Sequence, residues 1–254
     1  MRHPASRISL LCIAASGLAF AACSRAVAPL ESAGESAVAL TGGPNTSMIY
    51  LARTSQGVLA IDLGWWGSDR ALQGALRELD ATRNEIAMVF LTHSHRDHVA
   101  AWRSVRHARF HVAAAEYYRL VGDSAHRGWV ASLGDRIKPV QLPRPGELDV
   151  RRFARDTTFI VGSDTLRAYV VAGHTAGTTV YLFRGVLFLG DAVTYSRWRG
   201  FAPAKPRVSD NPRTAAENLE LLWPRLPPEG VRYVCTAHAH CAPFTARFLA
   251  DVAR

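Results

Sequence analysis

The chain has 254 residues, 48% hydrophobic and 20% charged, with a formal net charge of +9. That is enough apolar material for one large domain with a substantial core, and ordinary glycine (19) and proline (13) counts exclude collagen-like and wholly disordered chains. The basic balance suits an anionic small-molecule partner, but the arginines are scattered with no long basic run, which speaks against nucleic acid.

Residues 1–23 read as a secretory signal. Arg2, His3 and Arg7 make a basic n-region, and residues 8–20 an apolar h-region too short to span a bilayer comfortably. Ala21-Ala22-Cys23 is similar to a bacterial lipoprotein cleavage site, in which Cys23 is lipidated and becomes the mature N-terminus. Lipidation would anchor the protein to the membrane through its acyl chains. Phe20 stands where leucine is more usual, so ordinary cleavage to a soluble periplasmic protein is the alternative. Residues 24–43 are rich in Ala, Ser, Gly and Glu and read as a flexible tether, leaving a folded domain over 44–254 whose start is expected between Ser36 and Asn45. Cys235 and Cys241 are close enough in sequence for a disulfide in an oxidising compartment, with two buried thiols as the alternative.

Within the domain, residues 48–53 and 58–62 are apolar runs split by Thr54-Ser55-Gln56-Gly57, a hairpin signal. Ser68 or Asp69 caps a helix whose Ala71, Leu72, Ala75, Leu76 and Leu79 form one apolar stripe. Residues 86–91 form a continuous apolar run, consistent with a strand buried on both faces. Helical stretches are expected over 99–105, 114–120 and 124–133, with a short strand at 109–112 between the first two. A second hairpin is expected over 157–171, and strands over 178–183 and 186–189. Residues 193–211 look irregular. Ser209, Asp210 or Asn211, with Pro212, opens a helix to about residue 222. A last strand over 231–235 precedes a closing helix over 244–252. Strands and helices run through both halves, so the fold class is α/β, with sheets sandwiched between helices.

Thr92-His93-Ser94-His95-Arg96-Asp97-His98 follows the run at 86–91 and packs three histidines and an aspartate into six positions. Imidazole and carboxylate are good zinc ligands. A strand-to-helix loop can turn neighbouring side chains different ways, so His93 and His95 can face one ion while Asp97 and His98 face a second. Further ligands stand at other strand ends: His174, Asp191, and His238 or His240. His3, His107, His111 and His126 lack such a context and read as surface or core side chains.

His93-Ser94-His95-Arg96-Asp97-His98 matches the HxHxDH motif, and the chain resembles the metallo-β-lactamase-fold hydrolases over nearly all of residues 45–245. Asn45, Ile61-Asp62-Leu63-Gly64, Gly173-His174-Thr175 and Gly190-Asp191 occur in the family's order. The resemblance implies an αββα sandwich with a dimetal site at the edge between its sheets. It implies a first zinc on His93, His95 and His174, a second on Asp97, His98 and His238, and Asp191 bridging both. His238 is preferred over His240 because Ala237-His238-Ala239 is similar to the family's Gly-His-Gly. Asp62 and Asn45 would orient ligands or backbone. Iron or manganese would suit the same donors.

The activity so implied is an exported dizinc hydrolase that uses a metal-bridging hydroxide on an ester, thioester, lactone, phosphodiester or similar bond, with Asp97 handling a proton. The alternatives are a zinc β-lactamase of the third subclass and a non-catalytic metal-binding module. Asp191 argues against the β-lactamase, because thioesterases, lactonases and nucleases of the family usually carry that aspartate and β-lactamases usually lack it. Tyr195, Arg197, Trp198, Arg199 and Phe201 are expected on a loop that offers cationic and aromatic contacts to an anionic substrate.

Overall fold

The computed structural model describes residues 36–41, 47–124, 133, 141–228, 230–239 and 241–253. These build two six-stranded sheets and a small hairpin. The first sheet has the order β1 (Ser36–Thr41), β2 (Ser47–Thr54), β3 (Gly57–Ile61), β4 (Ile86–Phe90), β5 (Arg109–Ala113), β6 (Asp149–Phe153). Its first three strands are antiparallel, and β3 to β6 run parallel. The second sheet runs β7 (Thr157–Val161), β8 (Asp164–Val170), β9 (Thr179–Phe183), β10 (Val186–Gly190), β13 (Tyr233–Thr236), β14 (Cys241–Pro243). Only the β10–β13 pair in it is parallel. The hairpin pairs β11 (Val193–Ser196) with β12 (Gly200–Pro203). The helices lying wholly within the described residues are α1 (Ser68–Glu78), the short α2 (Tyr117–Leu120), α3 (Pro212–Glu220) and α4 (Ala246–Val252).

The layers follow from alternation along the strands. On β2, Ile49 and Leu51 join Phe110 of β5 beneath Leu72 and Leu76 of α1, while Met48, Tyr50 and Ala52 join Phe90, Tyr181 and Phe188 between the sheets. A side-chain period of two sends neighbours to opposite faces. Both faces of the sheet are covered, so β2 to β4 read as nearly unbroken apolar runs. A third cluster, with Tyr169, Leu182, Leu187, Leu219 and Phe248, lies under α3 and α4. The architecture is an αββα sandwich. Fully burying a leucine contributes about 1.5–3 kcal/mol, so truncating Leu76 on the buried face of α1 costs about 2–5 kcal/mol. Among the described residues no helix is long and apolar enough to cross a membrane.

The first strand starts at Ser36, at the early end of the span 36–45 expected to hold the start of the domain, because residues 36–41 pair with β2. Three sequence expectations are corrected. Residues 99–105 are not one helix. The N–H groups of Ala100 and Ala101 donate across to Gly64 and Leu63, so no α-helical ladder forms, and only a 3-10 segment at Trp102–Val105 remains. The span 193–211 contains β11 and β12 rather than irregular chain, and β14 was not foreseen. At α1 the N-cap is Gly67, with no side-chain cap. Residues 125–132 of the third expected helical stretch lie outside the described residues.

Candidate metal centre

Strand ends from both sheets meet at one edge. β4 delivers residues 91–98, and Tyr181 from the second sheet donates its hydroxyl to the Leu91 carbonyl at 2.8 Å. Thr179 N–H donates to the Thr92 carbonyl at 2.8 Å. Asp62, at the end of β3, has a left-handed backbone (φ 57°). Its carboxylate accepts from Thr92 N–H, Thr92 O–H and His98 Nδ1, each at 2.8 Å. Gly190, at the end of β10, must be glycine: its φ is +52° and a Cβ would sit 2.7 Å from Thr92 Cβ. That contact brings Asp191 up to the histidine loop.

Three ring nitrogens then converge. His93 Nε2 lies 2.9 Å from His95 Nδ1, and His174 Nε2 lies 3.1 Å from each. Their hydrogen-bond partners settle two tautomers. Thr92 Oγ1 gives its one proton to Asp62, so the 3.0 Å contact to His93 Nδ1 has the ring as donor. Ser209 Oγ gives its proton to the Lys205 carbonyl, so His174 Nδ1 donates to it at 3.1 Å. His93 and His174 thus turn Nε2 lone pairs toward each other. Two facing lone pairs repel, and a cation between them converts that repulsion into attraction. Ligands on a tetrahedral ion with bonds of about 2.0–2.1 Å lie about 3.3 Å apart, close to the spacing here. The donor set fits a metal.

A second group sits beside the first. The ligand atoms of Asp97, His98 and His238 lie within 4.8 Å of one another, as do those of His93, His95, His174 and Asp191. Asp191 stands between the groups, 3.1 Å from His238 Nε2, 3.6 Å from His174 Nε2 and 3.7 Å from His98 Nε2. His98 Nε2 is buried without a hydrogen-bond partner, as expected of a nitrogen reserved for an ion. Burial pulls the His98 pKa down, but Asp62, Asp97 and Asp191 together outweigh it and leave the pKa raised. Burial depresses the His174 pKa against the pull of Asp191. Burial raises the Asp191 pKa, but His238, His98 and His174 reverse this and hold its carboxyl well below the usual range.

All seven expected ligands are brought together. Asn45, His240 and Cys23 lie outside the described residues. Cys235 and Cys241 form a disulfide across β13 and β14, with Cα atoms 4.1 Å apart, closing the loop that carries His238. Tyr195 and Phe201 pack on each other at 5.0 Å, Phe201 packs on Phe248 of α4, and Trp198 is 82% exposed under Arg197. A small cavity of about 10 Å³ beside Asp191 and His238 is lined by Val193, Thr194, Lys205, Val208 and Thr236. Sequence reasoning missed Thr92, Glu116 and Ser209. Ser209 was a cap candidate for α3, but Asn211 caps that helix, which leaves the serine hydroxyl for His174.

Fold and site together define an αββα sandwich with a metal-ligating donor set at one edge. The metallo-beta-lactamase superfamily profile matches residues 42–238, and the chain belongs to that superfamily. It is 26% identical over 153 residues to a hydroxyacylglutathione hydrolase of Bartonella henselae, covering 59% of this chain and 48% of that protein. It is 26% identical over 154 residues to a probable polyketide biosynthesis zinc-dependent hydrolase of Bacillus velezensis, covering 59% of this chain and 55% of the relative. The chain thus spans about half the length of these curated relatives. Its fold matches the crystal structure of the BLEG-1 B3 metallo-beta-lactamase with a TM-score of 0.63 at 17% identity, over 80% of this chain and 92% of that one.

Proposed function

We propose that the chain is an exported dimetal hydrolase of a small, anionic molecule, tethered to the membrane through Cys23. His93, His95 and His174 would hold one zinc, Asp97, His98 and His238 a second, and Asp191 would reach both. The observation that carries this is the pair of facing Nε2 lone pairs on His93 and His174, with Asp191 set between the two ligand groups. When bound, the metals supply an activated water and a Lewis acid for the oxygen of the scissile bond.

The chain's own residues do the rest. Asp62 and Ser209 fix ring orientation by accepting from Nδ1 of His98 and His174. Asp97 is partly exposed and lies 3.5 Å from His238 through its carboxylate, so it can carry a proton between the centre and solvent. Asp191 supports an ester, thioester, lactone or phosphodiester substrate over a β-lactam, and the hydrolases among the relatives support the same class.

A panel tests this: nitrocefin, a lactone, a phosphodiester, a thioester and an aryl sulfate, each offered to the zinc-loaded protein with and without chelator. Chelator-sensitive turnover of one of the last four above that of nitrocefin is expected. Nitrocefin as the best substrate would overturn the substrate class.

A further inference from the structure

A fully buried carboxylate stands behind the centre. Glu116 ends the 3-10 turn Ala114–Glu116 that follows β5, and its side chain has no exposure. A carboxylate in such a place is unfavourable unless hydrogen bonds replace its lost hydration. Glu116 has three. Oε2 accepts from the Ser94 N–H at 3.0 Å and from the Ser94 hydroxyl, and Oε1 accepts from the Gly177 N–H at 2.7 Å.

The two oxygens serve different loops. Ser94 sits between His93 and His95, and Gly177 lies three residues after His174. Those are the rings whose nitrogens converge, yet the loops come from different sheets. Gly177 permits the approach: a Cβ there would lie 2.8 Å from Glu116 Cγ and 2.9 Å from Ala113 Cβ. One turn further on, Arg119 forms a buried ion pair with Asp210, whose N–H donates to the His174 carbonyl at 2.9 Å. The His174 loop is therefore braced on two sides by one short segment, residues 116–119.

We propose that Glu116 is a positioning residue of the metal centre: its carboxylate clamps the His93–His95 loop to the His174 loop and sets the spacing of the first ligand triad. This rests on the metal-site reading above. Charge-assisted bonds to two loops hold relative position better than apolar packing, because their geometry is directional.

The test measures zinc affinity of the whole chain by competition with a chromogenic chelator, alongside melting of the metal-free and zinc-loaded forms. Glu116→Gln keeps the size but turns an NH2 toward a donor. The expected result is a folded protein whose zinc affinity falls about ten- to a hundredfold, with a smaller zinc-induced rise in Tm. A purely structural role would lower the metal-free Tm and leave the affinity of the folded protein unchanged, which would overturn the proposal. Should Glu116→Gln not fold, Ser94→Ala decides, since it removes one of the three bonds. A several-fold loss of affinity supports the clamp and an unchanged affinity overturns it. If the wild-type chain takes up no zinc, the metal reading itself falls and the clamp falls with it. If the wild type binds zinc and the variants match it, only the clamp falls.

Discussion

Protonation of His111 weakens this fold in acid. It sits on β5 with its ring stacked on Phe90 at 4.5 Å and edge-on to Phe159 at 4.8 Å, and neither ring nitrogen has a hydrogen-bond partner. Burial, with help from Arg109 and Arg151 and against Asp149, depresses its pKa to about 4. A depressed histidine binds its proton more weakly in the folded state than in the unfolded one. Stability is therefore full above pH 6.5, falls as the pH drops from 6.5 to 4, and levels off below that. A shift of about 2.5 units at 1.36 kcal/mol each, less the half-titration at pH 4, makes the loss between pH 7 and pH 4 about 3 kcal/mol. His111→Phe keeps the stack and removes the proton site. Urea unfolding of both metal-free proteins at pH 7 and pH 4 isolates the term, because the other histidines cancel in the difference. The variant should lose about 3 kcal/mol less than the wild type over that interval. Equal losses would refute the reasoning.

Three further outcomes follow from the site. Asp62→Asn leaves Thr92 and His98 competing for one acceptor, and should weaken zinc binding about ten- to a hundredfold; wild-type affinity by chelator competition would contradict the role given to Asp62. Asp97→Ala, assayed at full zinc occupancy, should lower kcat about a hundredfold or more, and unchanged turnover would remove the aspartate from proton transfer. Cys241→Ser opens the loop that carries His238; thermal unfolding should show a loss of about 2 kcal/mol, with zinc lost first from the group containing His238, and a fully loaded variant would show that the disulfide is irrelevant to the centre.

Much of this was legible because its signals are local. The run at 86–91 followed by His93, His95, Asp97 and His98 carried both a doubly buried strand and a ligand loop. Asp191 and His174 stood at strand ends that periodicity could place. The misses share one cause. Residues 99–105 have helical composition, but Ala100 and Ala101 spend their N–H groups on Gly64 and Leu63, a contact between residues far apart in sequence. Glu116 follows three alanines, Ala113 to Ala115, and nothing nearby announces that its partners are Ser94 and Gly177. Ser209 carried a cap signal that Asn211 answered, and its real partner lies 35 positions away. The β11–β12 hairpin went unread for the same reason: its register and the packing of Phe201 on α4 are set by partners that local composition does not show.

Metal content tests the central claim most directly. Elemental analysis of the purified chain, titrated with zinc after chelator treatment, should find two ions per chain, one for each group of ligand atoms, and one fewer in His238→Ala. A wild-type chain that binds no transition metal under these conditions would contradict the account.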